Sequence, residues 1–159
     1  MLFRSSAGAV HITSWLFASR FDASRHQLVQ GVNGLQIEKV VLLSGRYRLS
    51  DLKPLVTYYG GEAAAQANSP LELMRRRLEN VAVEEMSTFP AILTIFCELD
   101  YDQLIIETRE FEGLWKSKGG KGKLLCVKGH NHISPSCSLF TGIAEEEEWG
   151  YQVAEWLTS

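Results

Sequence analysis

The sequence predicts an α/β fold over residues 1–159 as one domain, built on a parallel sheet of about four strands with helices on both faces. Three observations carry this. Short, nearly continuous apolar runs stand at Val40 to Leu43, Ala91 to Cys97 and Leu124 to Val127, each close to glycine or proline. Runs without alternation suit strands buried on both faces, which is the habit of parallel sheets. Segments of helical period lie between and after them, as parallel crossovers require.

Taken in order, Leu2-Phe3 is read as a short first strand, followed by a helix-like stretch to Arg20. Strands are then expected near residues 39–44, 91–97 and 123–127, paired in the order of the chain. Ser69-Pro70-Leu71-Glu72 offers a capping serine, a proline suited to the first helical position and a glutamate at the capping-box position, so a helix starts there. From Tyr101 to Lys118 the residues Leu104, Ile105, Phe111, Leu114 and Trp115 share one face, and Gly119-Gly120 ends that helix. Trp149, Val153, Trp156 and Leu157 have the spacing of a last amphipathic helix lying on the sheet.

Composition excludes several classes. A net charge of −3 offers no basic face for nucleic acid or an anionic membrane, which leaves a small molecule or a protein as partner. No apolar run approaches the roughly 18 residues of a membrane span. The cysteines Cys97, Cys126 and Cys137 make an odd count of three with no close pair, which points away from a disulfide framework and toward a reducing, cytoplasmic setting. Residues 1 to 21 carry Arg4, Arg20, four serines and no acid, a composition shared with mitochondrial transit peptides. Glu145 to Glu148 read as carboxylates complementing the dipole at the start of the last helix. The lysines around Gly119-Gly120 sit at a helix C-terminus, and the glycines there lack the spacing and the Ser or Thr of a phosphate loop.

Chemistry concentrates at three strand ends. Arg4-Ser5-Ser6-Ala7-Gly8 follows the apolar Leu2-Phe3 and precedes a helix, as in a G-x-S-x-G turn, where a strained serine is exposed between strand and helix. The third apolar run ends in Cys97-Glu98-Leu99-Asp100-Tyr101-Asp102, and the next in Lys128-Gly129-His130-Asn131-His132-Ile133-Ser134. Serine, then acid, then histidine, each just beyond a strand, resembles the chain order of the α/β-hydrolase fold family, and that resemblance implies Ser6 as nucleophile, Asp100 as acid and His132 as base. Asp102 is the alternative acid or a helix cap. His130 is the alternative base or a surface loop residue. A metal reading of His130, His132 and Cys137 lacks a zinc spacing, and His11, one turn beyond Ser6, reads as a packed or capping side chain.

Asn131-His132-Ile133-Ser134 is similar to that family's Asp-His-Phe-Ser type of motif. Val41-Leu42-Leu43-Ser44-Gly45, Asp51-Leu52-Lys53-Pro54-Leu55 and Ser69-Pro70-Leu71-Glu72-Leu73 look like the stretches after the nucleophile in esterases similar to hormone-sensitive lipase and in kynurenine formamidases. Arg4 departs from the pattern, standing where the family has a glycine.

The resemblance implies hydrolysis of a carboxylic ester or aryl formamide through an acyl-enzyme, with no metal or organic cofactor and with the Ala7 N–H as one oxyanion donor. It covers only the C-terminal part of the family fold, since five residues precede Ser6. The first strands and the His-Gly-Gly type oxyanion loop would lie before them. The expectation is therefore a chain that hydrolyses a short activated ester very slowly or not at all, with self-association through an exposed first strand. The alternative is a remnant that serves as a structural or interaction module.

Overall fold

A computed structural model, describing residues 1–29, 31 and 36–159, pairs four parallel strands in sequence order. They are β1 (Leu2–Ser5), β2 (Lys39–Leu43), β3 (Ala91–Cys97) and β4 (Gly122–Val127). The register sets Phe3 beside Val41, Val41 beside Leu93, and Leu93 beside Lys123. The two inner strands are the apolar runs that are buried almost throughout, and the edge strands β1 and β4 are only partly covered.

Eight helices accompany the strands among the described residues: α1 (Ala7–Phe17), α2 (Asp22–Val29), α3 (Lys53–Tyr59), α4 (Glu62–Ala67), α5 (Pro70–Leu78), α6 (Asp102–Ser117), α7 (Ser134–Ser138) and α8 (Ala144–Thr158). Successive strand residues point to opposite faces. Val40, Leu42 and Ile92 therefore meet α1, α5 and α6 through residues such as Leu16, Met74 and Phe111. Val41, Leu43, Leu93 and Ile95 meet α8 through Trp149 and Val153. Each large apolar side chain buried in this way contributes about 1.5–3 kcal/mol relative to leaving it exposed.

The local signals turn out unequally. Gly119 ends α6 in the left-handed region at φ 83, a conformation that suits a residue without a side chain. Its N–H reaches Lys116 O at 2.9 Å and the Gly120 N–H reaches Trp115 O at 3.0 Å, the paired bonds of a Schellman motif. The start of α5 differs from expectation. Pro70 opens the helix, but Ser69 makes no capping bond. Its buried hydroxyl donates to Ala65 O at 3.0 Å and accepts from the Leu49 N–H at 2.9 Å, while Glu72 pairs with Arg75 at 2.6 Å. A tertiary contact with the segment after β2 takes the oxygen that the helix end would have used.

The segment resembling a transit peptide lies within the fold. Residues 2–5 form β1, and Ala9 and Leu16 of α1 are wholly buried. The helix expected to reach Arg20 ends at Phe17, and a single 3₁₀ turn carries the chain from Ser19 to Phe21.

Candidate active site

Ser6 occupies the junction between β1 and α1 with φ 48 and ψ −122. For a residue with a side chain this is strained, at a cost of about 1–3 kcal/mol. Hydrogen bonds hold it from both sides. The Ser6 N–H donates to Leu43 O at 2.8 Å, extending the β1–β2 ladder, and the Ser6 carbonyl accepts from the Ala9 N–H at 3.0 Å. Close quarters explain Gly8, where an added Cβ would come within 3.1 Å of the Arg4 side chain. Arg4 is tolerated because it is exposed on an edge strand and folds over that vacancy, its guanidinium donating to Phe3 O at 2.9 Å.

The loops that carry Asp100 and His132 are fastened to each other. The Glu98 N–H donates to Val127 O and the Leu99 N–H to His130 O, both at 2.9 Å, joining the turn after β3 to the turn after β4. Glu98 reinforces this by accepting the Gly129 N–H at 2.9 Å and the Lys128 ammonium at 2.9 Å. The Gly129 bond, with Lys128 second, holds the Glu98 carboxyl below the usual carboxylate range. Beyond it, Asn131 Oδ1 accepts the N–H groups of Ile133 and Ser134, each at 3.0 Å, while Ser134 Oγ accepts the Asn131 N–H at 2.9 Å. His132 projects from this closed turn.

His132 Nε2 lies 2.9 Å from Ser6 Oγ, and its Nδ1 lies 3.1 Å from Asp100 Oδ1. An ionised carboxylate only accepts hydrogen bonds, so Nδ1 carries the hydrogen. In the neutral ring Nε2 is then the acceptor for the Ser6 hydroxyl. The imidazole is 27% exposed, whereas the Asp100 side chain is 0% exposed, so the carboxylate is dry and the imidazole can reach solvent. Ala7 is the first residue of α1, where an N–H has no acceptor within the helix.

The remaining sequence candidates are dispersed. Asp102 is exposed at the first position of α6. His130 is buried, with Nδ1 3.0 Å from Ser134 Oγ, so it supports the turn from within and is not a surface loop residue. His11 is exposed on α1, which corrects the packed or capping reading. His130 and His132 engage different partners, and among the described residues no three His, Cys, Asp or Glu side chains are grouped so as to hold a metal ion. The larger concavities lie elsewhere, including one lined by Phe17, Arg20, Asn68 and Arg76.

One residue of the site was not singled out from sequence. Ser44, directly after β2, is 1% exposed and donates its hydroxyl to Asp100 Oδ2 at 2.6 Å. The Cys97 N–H donates to the same oxygen at 2.8 Å. The signal was present as a serine closing the apolar run Val40 to Leu43, but nothing in the sequence sets Ser44 against Asp100, 56 residues away.

No protein-family model matches the chain, and no curated protein matches it either. Solved structures do. An inhibited esterase B from Lactobacillus rhamnosis superposes with a TM-score of 0.59 at 14% identity, covering 97% of this chain and 51% of that one. A Staphylococcus aureus protein described as an esterase gives 0.54 at 10% identity, covering 99% and 52%. Esterase LipW from Mycobacterium marinum gives 0.49 at 16% identity, covering 92% and 45%. The chain spans about half the length of these structures. With the four parallel strands and their helices, the likeness to the first two of these structures establishes a partial α/β-hydrolase fold.

Proposed function

We propose that the chain is a serine hydrolase of carboxylic esters or aryl formamides, with Ser6 as nucleophile, His132 as base and Asp100 as acid. What supports this most is the unbroken path from Ser6 Oγ through the imidazole to Asp100, at 2.9 and 3.1 Å. His132 Nε2 takes the Ser6 proton as Oγ attacks the carbonyl carbon, and Asp100 stabilises the resulting imidazolium. The Ala7 N–H, at the positive end of α1, faces the developing oxyanion. His132 then gives the proton to the leaving alcohol or amine, and a water molecule repeats the sequence on the acyl-serine. A fluorophosphonate probe tests the reading. Labelling that disappears in Ser6→Ala supports it, and labelling that persists in that variant rejects Ser6 as nucleophile.

A second reading, an interaction module, draws on the edge strand. Among the described residues β1 is paired on one side, with β2; the Ser6 N–H bonds to β2, so by alternation Phe3 and Ser5 present their backbone donors and acceptors outward. Self-association through that edge would appear as a concentration-dependent dimer in sedimentation, lost when a proline replaces Phe3. The free cysteines, with Cys97 buried and Cys137 exposed, fit a reducing, cytoplasmic setting.

A further inference from the structure

We propose that Ser44 is a positioning residue for this site: its hydroxyl, presented by a strained turn at the end of β2, locks the Asp100 carboxylate so that Oδ1 faces His132. The proposal rests on the hydrolase reading and extends it to a residue outside the Ser-Asp-His set. Two donors converge on Asp100 Oδ2, the Ser44 hydroxyl at 2.6 Å and the Cys97 N–H at 2.8 Å. With that oxygen fixed, rotation of the carboxylate is blocked and its second oxygen is left for the imidazole at 3.1 Å. The Cys97 N–H alone would anchor one oxygen but leave the carboxylate plane free to swing about that contact.

The placement of Ser44 is determined from several sides. Its N–H donates to Ile95 O at 2.8 Å, and φ is 48, a left-handed value uncommon for a serine. Downstream, the wholly buried Glu107 on α6 accepts the N–H groups of Tyr47 at 2.7 Å and Arg48 at 3.0 Å. The Arg46 guanidinium approaches the other Glu107 oxygen at 3.2 Å. A residue kept in a strained conformation by its surroundings is a frequent companion of a functional site. Cys97 Sγ lies 3.7 Å from Ser44 Oγ. Since the Ser44 hydrogen is directed to a carboxylate, the thiol is the donor in that contact. Burial pushes the Cys97 thiol up to about 11, which keeps it protonated for that role.

The test uses the full chain and two variants. Ser44→Gly removes the hydroxyl and suits the left-handed backbone, so it separates positioning from folding. Ser44→Ala removes the hydroxyl and retains the strain. Both are expected to slow fluorophosphonate labelling of Ser6 on the order of 10–100-fold, the scale of a misplaced catalytic group. The slowing should fall on the bond-forming rate, with probe affinity unchanged. Thermal unfolding of Ser44→Gly should stay close to that of the parent chain. In proton NMR, the downfield His132 Nδ1–H signal should shift and exchange faster in both variants. A folded Ser44→Gly with unchanged labelling and an unchanged imidazole signal overturns the proposal, because the Cys97 N–H would then suffice. If the parent chain is not labelled at all, the hydrolase reading fails, and the imidazole signal alone decides whether Ser44 positions Asp100. If Ser44→Gly fails to fold, Ser44→Ala is read in the same way. Unfolding of both variants makes Ser44 a structural residue and also overturns the proposal.

Discussion

Ser6 and Ser44 sit in nearly the same backbone setting and have different surroundings. Each follows a parallel strand, each has φ 48, and each donates its N–H at 2.8 Å to a carbonyl of the next strand, Leu43 for Ser6 and Ile95 for Ser44. Ser6 closes an edge strand and remains half-buried, with the His132 imidazole over its oxygen. Ser44 closes an inner strand, is buried, and finds a carboxylate. A serine beside an imidazole nitrogen has an acceptor for its proton and stays partly open to solvent. Beside a dry carboxylate, with no open face, it is an anchoring donor. The strained turn thus positions a hydroxyl, and the neighbouring strand end decides what the hydroxyl does.

The largest expected effect would break the pairing of the two serines outright. Ser6→Ala should abolish fluorophosphonate labelling while leaving far-UV circular dichroism unchanged. Residual labelling traced by mass spectrometry to Ser44 would show that the two roles had been exchanged. Next, Asp100→Asn removes the charge that both His132 and Ser44 address. Labelling should fall by about 10⁴-fold, the loss found when a triad acid is neutralised and the tautomer is wrong. Stability should fall as well, because the buried amide must present an N–H where donors now converge.

A smaller effect lies at alkaline pH. The Cys97 thiol beside Ser44 is raised from 9.0 to about 11, chiefly by burial. The unfolded chain therefore releases this proton first, and stability falls as pH rises through the window between those values. Cys97→Ala should flatten that part of a pH–melting curve. Iodoacetamide at neutral pH should modify the exposed Cys137 and spare Cys97 in the folded chain.

The smallest effect sharpens the comparison from outside the serine turns. Glu98 fastens the loop of Asp100 to the loop of His132 from an exposed position. Its carboxyl is depressed in the folded chain, so its stabilisation is present above the ordinary glutamate range and is lost as pH falls through the lower folded value. Glu98→Gln should lower the melting temperature slightly at neutral pH, and added salt should shrink the difference.

Local composition determined a good deal about this chain. The strands were legible because residues buried on both faces must be apolar throughout. The helix ends at Gly119 and the last amphipathic helix were legible because period and left-handed glycine act over a few residues. The placement of Ser6, Asp100 and His132 just beyond the ends of β1, β3 and β4 was legible for the same reason, since a parallel sheet brings all those ends to one edge. Tertiary structure decided the rest. It took Ser69 away from its helix end to bond Leu49, turned His130 inward to Ser134 and left His11 in solvent. It also set Ser44 against Asp100. A hydroxyl's partner depends on which distant groups packing brings within about 3 Å. Neighbours in the chain do not specify that distance, because hydrogen bonds are short-ranged and the fold alone determines which strand ends lie side by side.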